Sequence, residues 1–219
     1  MSEFKVTSIT NRDGSHGPQI CGIVTFTGSG LTLPNGTLAG PRGRGITGGG
    51  YPSYRNFMNK IEIATKGDAI DFGDITKELR GPSDGVSSST RGLFGGGLVA
   101  PNNASQTVIS YVVISSEGGA NDFGDLSRDR FMIKGHSNNT RGIFTGGYAV
   151  SPSVHTDTID FVNTASIGNA TDFGNISVSP PRSTFGSGSS PTRGVFGGGY
   201  FGAPGTDVAD IEFITFATQ

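Results

Sequence analysis

The stretch TRGIFTGGY (Thr140–Tyr148) has three companions: GRGITGGGY (Gly43–Tyr51), TRGLFGGGL (Thr90–Leu98) and TRGVFGGGY (Thr192–Tyr200). Their arginines, Arg44, Arg91, Arg141 and Arg193, stand 47, 50 and 52 residues apart. Periods of this size signal repeat architectures, so the repeat is read before any single motif. A second, apolar phrase follows each copy, led by Ile61, Ile109, Ile159 and Ile211. A third contains DFG and occurs as AIDFGDIT (Ala69–Thr76), ANDFGDLS (Ala120–Ser127) and ATDFGNIS (Ala170–Ser177). The fourth apolar phrase, ADIEFITFAT, is followed by no such copy.

Each phrase reads as a strand. TVISYVVIS and DTIDFVNTAS are rich in β-branched and aromatic residues, with partial alternation. RGIFTGGY is a short apolar strand ending at a glycine doublet, where the chain must turn or pack closely. A weaker element precedes each later RG phrase, as in RFMIKGHSNN and RSTFGSGSSP. No segment carries a convincing helical period. Four short strands per unit of roughly 50 residues is the arithmetic of a propeller blade. Composition agrees: 37 Gly and 11 Pro supply turns, while 15 Phe and 33% hydrophobic residues supply a core.

The order of a glycine doublet, a tyrosine, a polar loop, an apolar strand and then an aromatic resembles kelch-type β-propellers. Phe72, Phe123 and Phe173 stand where a kelch repeat has tryptophan. The combination of TRGxFxGG repeats, DFG phrases and a start reading FKVTSITNR is similar to a group of bacteriophage virion proteins, notably of cyanobacterial phages. That resemblance covers nearly the whole chain. It implies a virion component synthesised in a bacterial cytoplasm, with other virion proteins as partners.

The expected fold is therefore all-β: a small propeller of four kelch-like blades over residues 19–219, with residues 1–18 as an extended arm. The strand QICGIVTFTG (Gln19–Gly28) is expected to complete the last blade, and GLTLPNG to open the first. Each DFG phenylalanine is expected to fill the space between neighbouring blades. Asp71, Asp122 and Asp172 are expected to cap a turn or to pair with the repeat arginines.

Isolated motifs lose their usual meaning in this frame. A kinase DFG needs a strand lysine, a helix glutamate and an HRD-type loop, and none appears. GRGITG (Gly43–Gly48) has glycine-loop spacing but is followed by GGYPSYRN, which cannot begin a helix. His16, His136 and His155 lack metal-ligand spacing and are read as surface or loop residues. Cys21, the only cysteine, is read as a small buried hydrophobe. A net charge of −2 draws the chain to neither nucleic acid nor membrane. Neither cofactor, metal nor enzymatic activity is expected.

The variable stretches after the RG phrases occupy one equivalent slot per repeat, and loops on a rigid scaffold commonly carry binding. They nominate Tyr51, Tyr54, Arg55, Tyr148, His155, Tyr200 and Phe201, residue types enriched at interfaces. Two functions fit: a non-enzymatic virion structural protein docked through its arm, or an adhesin module gripping a host receptor or glycan.

Overall fold

In the computed structural model, which describes residues 31–32, 38–39, 43–50, 53–63, 66–80, 84–177, 180–183, 186–201 and 206–217, every regular element is a strand. The expected arm, the expected closing strand Gln19–Gly28 and Tyr51 lie outside the described residues. The chain divides into two units, Met1–Pro41 and Arg42–Gln219. In the first, Leu31–Thr32 pairs antiparallel with Leu38–Ala39.

The second unit holds the repeats. Repeat 1 contains β1 (Arg44–Gly48), β2 (Arg55–Glu62) and β3 (Ile70–Arg80). Repeat 2 contains β4 (Gly85–Ser87), β5 (Arg91–Gly95), β6 (Val108–Val113) and β7 (Asn121–Asp125). Repeat 3 follows with β8 (Lys134–Ser137), β9 (Arg141–Thr145), β10 (Thr158–Asn163) and β11 (Thr171–Asn175). Repeat 4 has β12 (Gly186–Ser189), β13 (Arg193–Gly197) and β14 (Ile211–Thr215). Each repeat is one antiparallel meander in sequence order. Four strands occur in repeats 2 and 3; three are described in repeats 1 and 4, where β3 also carries the hairpin Leu98–Val99 and Ala104–Ser105.

The register corrects one sequence alignment. Ile109, Ile159 and Ile211 face Gly95, Thr145 and Gly197, and the residue in that place in repeat 1 is Met58, opposite Gly48. Ile61 faces Gly45 and belongs with Val112, Val162 and Ile214. The segment joining the first two strands is shorter in repeat 1, so counting apolar residues from the RG phrase misplaces it by three.

The core lies between successive sheets. Met58, Phe72, Ile75 and Leu79 of repeat 1 pack with Val112 of repeat 2. Leu93, Ile109 and Phe123 of repeat 2 meet Ile133, Phe144 and Val162. Ile143, Ile159 and Ile176 of repeat 3 meet Phe196, Ile214 and Phe216. Burying each such side chain contributes roughly 1.5–3 kcal/mol, and here it is the next sheet that does the burying. Phe72 and Phe123 fill these inter-sheet layers as expected, while Phe173 is half-buried.

Polar contacts repeat along with the core. Asp71, Asp122 and Asp172 accept hydrogen bonds from the amides of Gly73, Gly124 and Gly174 at 3.2, 3.1 and 2.9 Å. They cap the DFG turn and do not pair with the repeat arginines. Those arginines lie elsewhere: Arg91, Arg141 and Arg193 stack on Tyr111, Phe161 and Phe213 at 5.0, 5.1 and 4.6 Å. Arg44, Arg91 and Arg141 also donate to the carbonyls of Ile114, Thr164 and Phe216, always in the following repeat. In repeat 1 the aromatic place is taken by Lys60, so Arg44 pairs with Glu62 at 2.7 Å instead, and Lys60 reaches Glu117 of repeat 2.

The first strands of repeats 2–4 lie side by side. Ser87 N donates to Ser137 Oγ at 3.1 Å and Ser137 N to Ser189 Oγ at 3.2 Å. Asp84 accepts from Gly135 N at 3.4 Å and Ser187 Oγ at 3.3 Å, with Lys134 Nζ at 3.6 Å. Asp84, the residue leading into the first strand of repeat 2, thus touches the first strands of both repeats 3 and 4. Among the described residues, no hydrogen bond joins repeat 4 to repeat 1.

Candidate functional site

The variable stretches fold as small hairpins standing off the meanders. Tyr148–Ala149 pairs with Val154–His155, and Tyr200–Phe201 with Thr206–Asp207. The glycine doublets launch them: Gly146 and Gly147 have φ of +58° and +110°, which only glycine adopts without strain. A Cβ on Gly147 would also lie 2.7 Å from the Phe131 carbonyl.

Each connection between repeats anchors the hairpins on both sides of it. The amide of Gly97 donates to Arg130 O at 3.0 Å and that of Gly147 to Arg182 O at 3.3 Å. Phe131 then bridges to Tyr148, and Ser183 to Tyr200. The Arg130 side chain turns into repeat 3, where it donates to the carbonyls of Phe144, Gly146 and Thr158 and to Asp160 Oδ2 at 2.7 Å. Arg130 and Asp160 are both fully buried. Burial lowers the Arg130 pKa to about 10 against the opposing pull of Asp160, so the guanidinium stays charged at neutral pH. Arg182 is placed alike in repeat 4, pairing with Glu212 and lying over Phe196. In repeat 1 the corresponding place is taken by Leu79, whose carbonyl accepts from Gly50 N at 3.3 Å, and the following residue, Arg80, donates to Asn103.

Sequence reasoning missed this second arginine series. Of the two roles open to the DFG aspartates, they take the turn cap, and the buried ion pairs instead join Arg130 and Arg182 to acids inside the apolar phrase. The signal was present: Asp160 in TIDF and Glu212 in DIEF are charges at the centre of otherwise apolar strands.

The nominated residues divide into two groups. Tyr148, His155 and Tyr200 come together, with ring centroids 4.9 Å apart for Tyr148–His155 and 5.4 Å for His155–Tyr200, both edge-on. Phe131 extends the cluster to Tyr148 at 5.7 Å. All three nominated rings are half-buried, as is Phe201 beside Tyr200. Burial lowers the His155 pKa, and its shielded Nδ1 has no hydrogen-bond partner among the described residues. The second group lies in repeat 1: Tyr54 donates to Asn103 Oδ1 at 2.6 Å, and exposed Arg55 lies over Phe57 at 5.8 Å. Ser105 Oγ, accepting from Val150 N at 3.2 Å, links the hairpins of repeats 2 and 3. Neighbour-to-neighbour contacts therefore run along the whole hairpin series.

The reading of all three histidines as surface or loop residues needs correction at His136. It is 1% exposed, its Nε2 lies 3.2 Å from Thr145 Oγ1 and its ring 5.5 Å from Phe196. Desolvation lowers its pKa. A strand of Lys-Gly-His-Ser reads as polar, but the RG glycine of the next repeat lets it pack flat: a Cβ on Gly194 would lie 2.8 Å from the His136 ring.

No protein-family model matches the chain, and no curated protein is detectably similar to it.

Proposed function

We propose that this chain is a non-enzymatic structural protein of a bacteriophage virion, built as a four-bladed kelch-like propeller closed by an N-terminal strand. Residues 1–18 serve as the docking arm toward other virion proteins, and the hairpin series faces outward. The observation that carries the propeller geometry is the Asp84–Ser187 contact at 3.3 Å. Asp84 at the head of repeat 2 can reach the first strand of repeat 4 only where few blades share the centre, and four is the count of repeats. The virion assignment rests on the resemblance of the repeat phrases and the FKVTSITNR start. Deleting residues 1–18 is expected to leave the isolated protein folded and to abolish its incorporation into particles. Unimpaired incorporation would reject the docking role.

A second reading has one specific observation in its favour: Tyr148, His155 and Tyr200 converge on one hairpin face. Aromatic rings flanked by polar groups suit a host glycan or receptor. Host-cell and glycan-array binding lost with Tyr148→Ala and Tyr200→Ala, but retained on trimming the arm, would select the adhesin role.

A further inference from the structure

The formed seams between repeats share one plan. The central residue of each first strand abuts the RG glycine of the following repeat. A Cβ on Gly142 would lie 3.1 Å from Val86 Cβ, and one on Gly194 2.8 Å from His136 Cβ. The RG phenylalanine enters the preceding sheet: a Cβ on Gly95 would lie 3.0 Å from the Phe144 ring. Around these contacts Leu93 and Ile109 on the leading side are buried, as are Val112, Val162 and Ile214 on the receiving side.

The leading face of repeat 4 and the receiving face of repeat 1 carry the same series unjoined among the described residues. Val195 and Ile211, the counterparts of Leu93 and Ile109, are 43% and 77% exposed. Ile61, the counterpart of Val162, is 47% exposed. Gly188 stands in the place of Val86 and His136, with nothing within 4 Å of a Cβ built on it. Gly45 stands in the place of Gly142 and Gly194, and a Cβ there meets only Ile61 of its own repeat. A cavity of about 520 Å³ lies on the repeat 4 face, bordered by Gly188, Val195, Gly197 and Ile211.

Asp84 brings the two faces toward one place. It borders a cavity of about 420 Å³ alongside Arg44–Gly48 of β1, and it holds Ser187 of β12 at 3.3 Å. Repeats 1 and 4 thus approach one residue from two sides.

We propose that repeats 4 and 1 form a clasp, in which Gly188 closes over Gly45 and Val195 and Ile211 meet Ile61 and Thr47 in the register of the formed seams. This seam opens before the others. Its occupant is the chain's own receiving face, which repeats place by place what the formed seams use. The clasp is weak because Thr47 replaces Phe94, Phe144 and Phe196, and Gly188 replaces Val86 and His136. Without a ring or a branched side chain at those places it buries less apolar surface than the formed seams. Local opening costs least where the fewest buried contacts must break, so the ring parts here while the meanders stay folded. The arrangement with Gly45 and Gly188 both uncovered is the parted clasp.

This inference rests on the ring geometry proposed above and concerns repeats 1 and 4 alone. Cys21 is the only cysteine, so engineered thiols are read in a Cys21→Ser background. Gly45→Cys with Gly188→Cys is expected to form an intramolecular disulfide on mild oxidation, mapped by mass spectrometry in the monomer fraction. The formed-seam pair Val86→Cys with Gly142→Cys calibrates the yield. Should the glycine pair fail to fold, Thr47→Cys with Gly197→Cys and a short bismaleimide repeats the test at the counterpart of the Gly95–Phe144 contact. Links found only between molecules, or absent while the calibrating pair links, overturn the clasp. Asp84→Cys with Ser187→Cys separates the two readings. If that pair links and the clasp pair does not, the ring geometry stands and the clasp falls; if neither links, both fall. For the opening, Gly188→Cys alone is expected to react with a soluble disulfide reagent at least roughly tenfold faster than Val86→Cys. Equal rates overturn the clasp as the seam that opens first.

Discussion

Repeats 3 and 4 carry nearly the same phrases, yet their apolar strands meet different surroundings. β10 and β14 pair with their RG strands in the same register. Ile159 is buried under β11, and Ile211 stands exposed at an edge that no strand covers among the described residues. The difference lies in the neighbour and not in the strand. A half-apolar strand of five or six residues specifies pairing, but its burial is conferred by the next element. Interior positions should therefore be costly to alter, and their counterparts in repeat 4 cheap.

The largest contrast is expected at the buried acids. Asp160→Ala leaves Arg130 charged and unpaired inside repeat 3 and should cost roughly 3–5 kcal/mol in urea denaturation. Glu212→Ala, at the more accessible pair, should cost roughly 2 kcal/mol; equal losses would break the comparison. Next come the DFG glycines. Gly124→Ala combines a φ of +143° with a contact at 2.5 Å and should cost roughly 3 kcal/mol. Gly174→Ala, at φ +135° with nothing within 4 Å, should cost roughly 1 kcal/mol. Arg141→Ala loses both an aromatic face and the Phe216 carbonyl, roughly 1–2 kcal/mol by thermal melting. Arg193→Ala loses only the face of Phe213 and should fall within about 0.5 kcal/mol. A larger loss there would sharpen the case for closure, because Arg193 would then be reaching the carbonyl of Ile63.

The smallest effect is in pH dependence. Burial holds His136 neutral, so its folded pKa lies below 6.5 while the unfolded chain protonates near that value. As pH falls below 6.5 the unfolded state takes up the proton first, and stability declines until the folded pKa is reached, by at most about 1.4 kcal/mol per pH unit. His136→Val, copying Val86 of repeat 2, should flatten that slope in pH-dependent melting. His155→Phe should flatten it less, because His155 is only half-buried. Asp84 and Lys134 face His136 with opposite signs and oppose one another.

The repeat period, the all-β class and the hairpin slots were legible in TRGIFTGGY and its companions, because glycine doublets and β-branched runs act locally. Partners were not. Whether Asp122 caps Gly124 or meets Arg91 depends on which way a side chain leaves a bulged strand, and the spacing of the two series is the same in either case. Arg130 and Arg182 sit in RDRF and PPRS, stretches that read as polar connections. Their burial is visible only once the next repeat is in place. At the hairpins, residue type found Tyr148, His155 and Tyr200, but edge-on stacking across two repeats is not a property of either sequence stretch alone.

The arginine that leaves repeat 2 and is buried in repeat 3 also sets the unit in which this protein can be recombined. A segment cut at the sheet boundary would carry Asp160 without Arg130, and its graft would begin with an unmatched buried acid. Exchange in the frame Arg130–Asp160 keeps lock and key on one fragment. Duplication, deletion or circular permutation is therefore tolerated only in a phase offset from the visible meanders, with junctions ahead of Arg130 and Arg182.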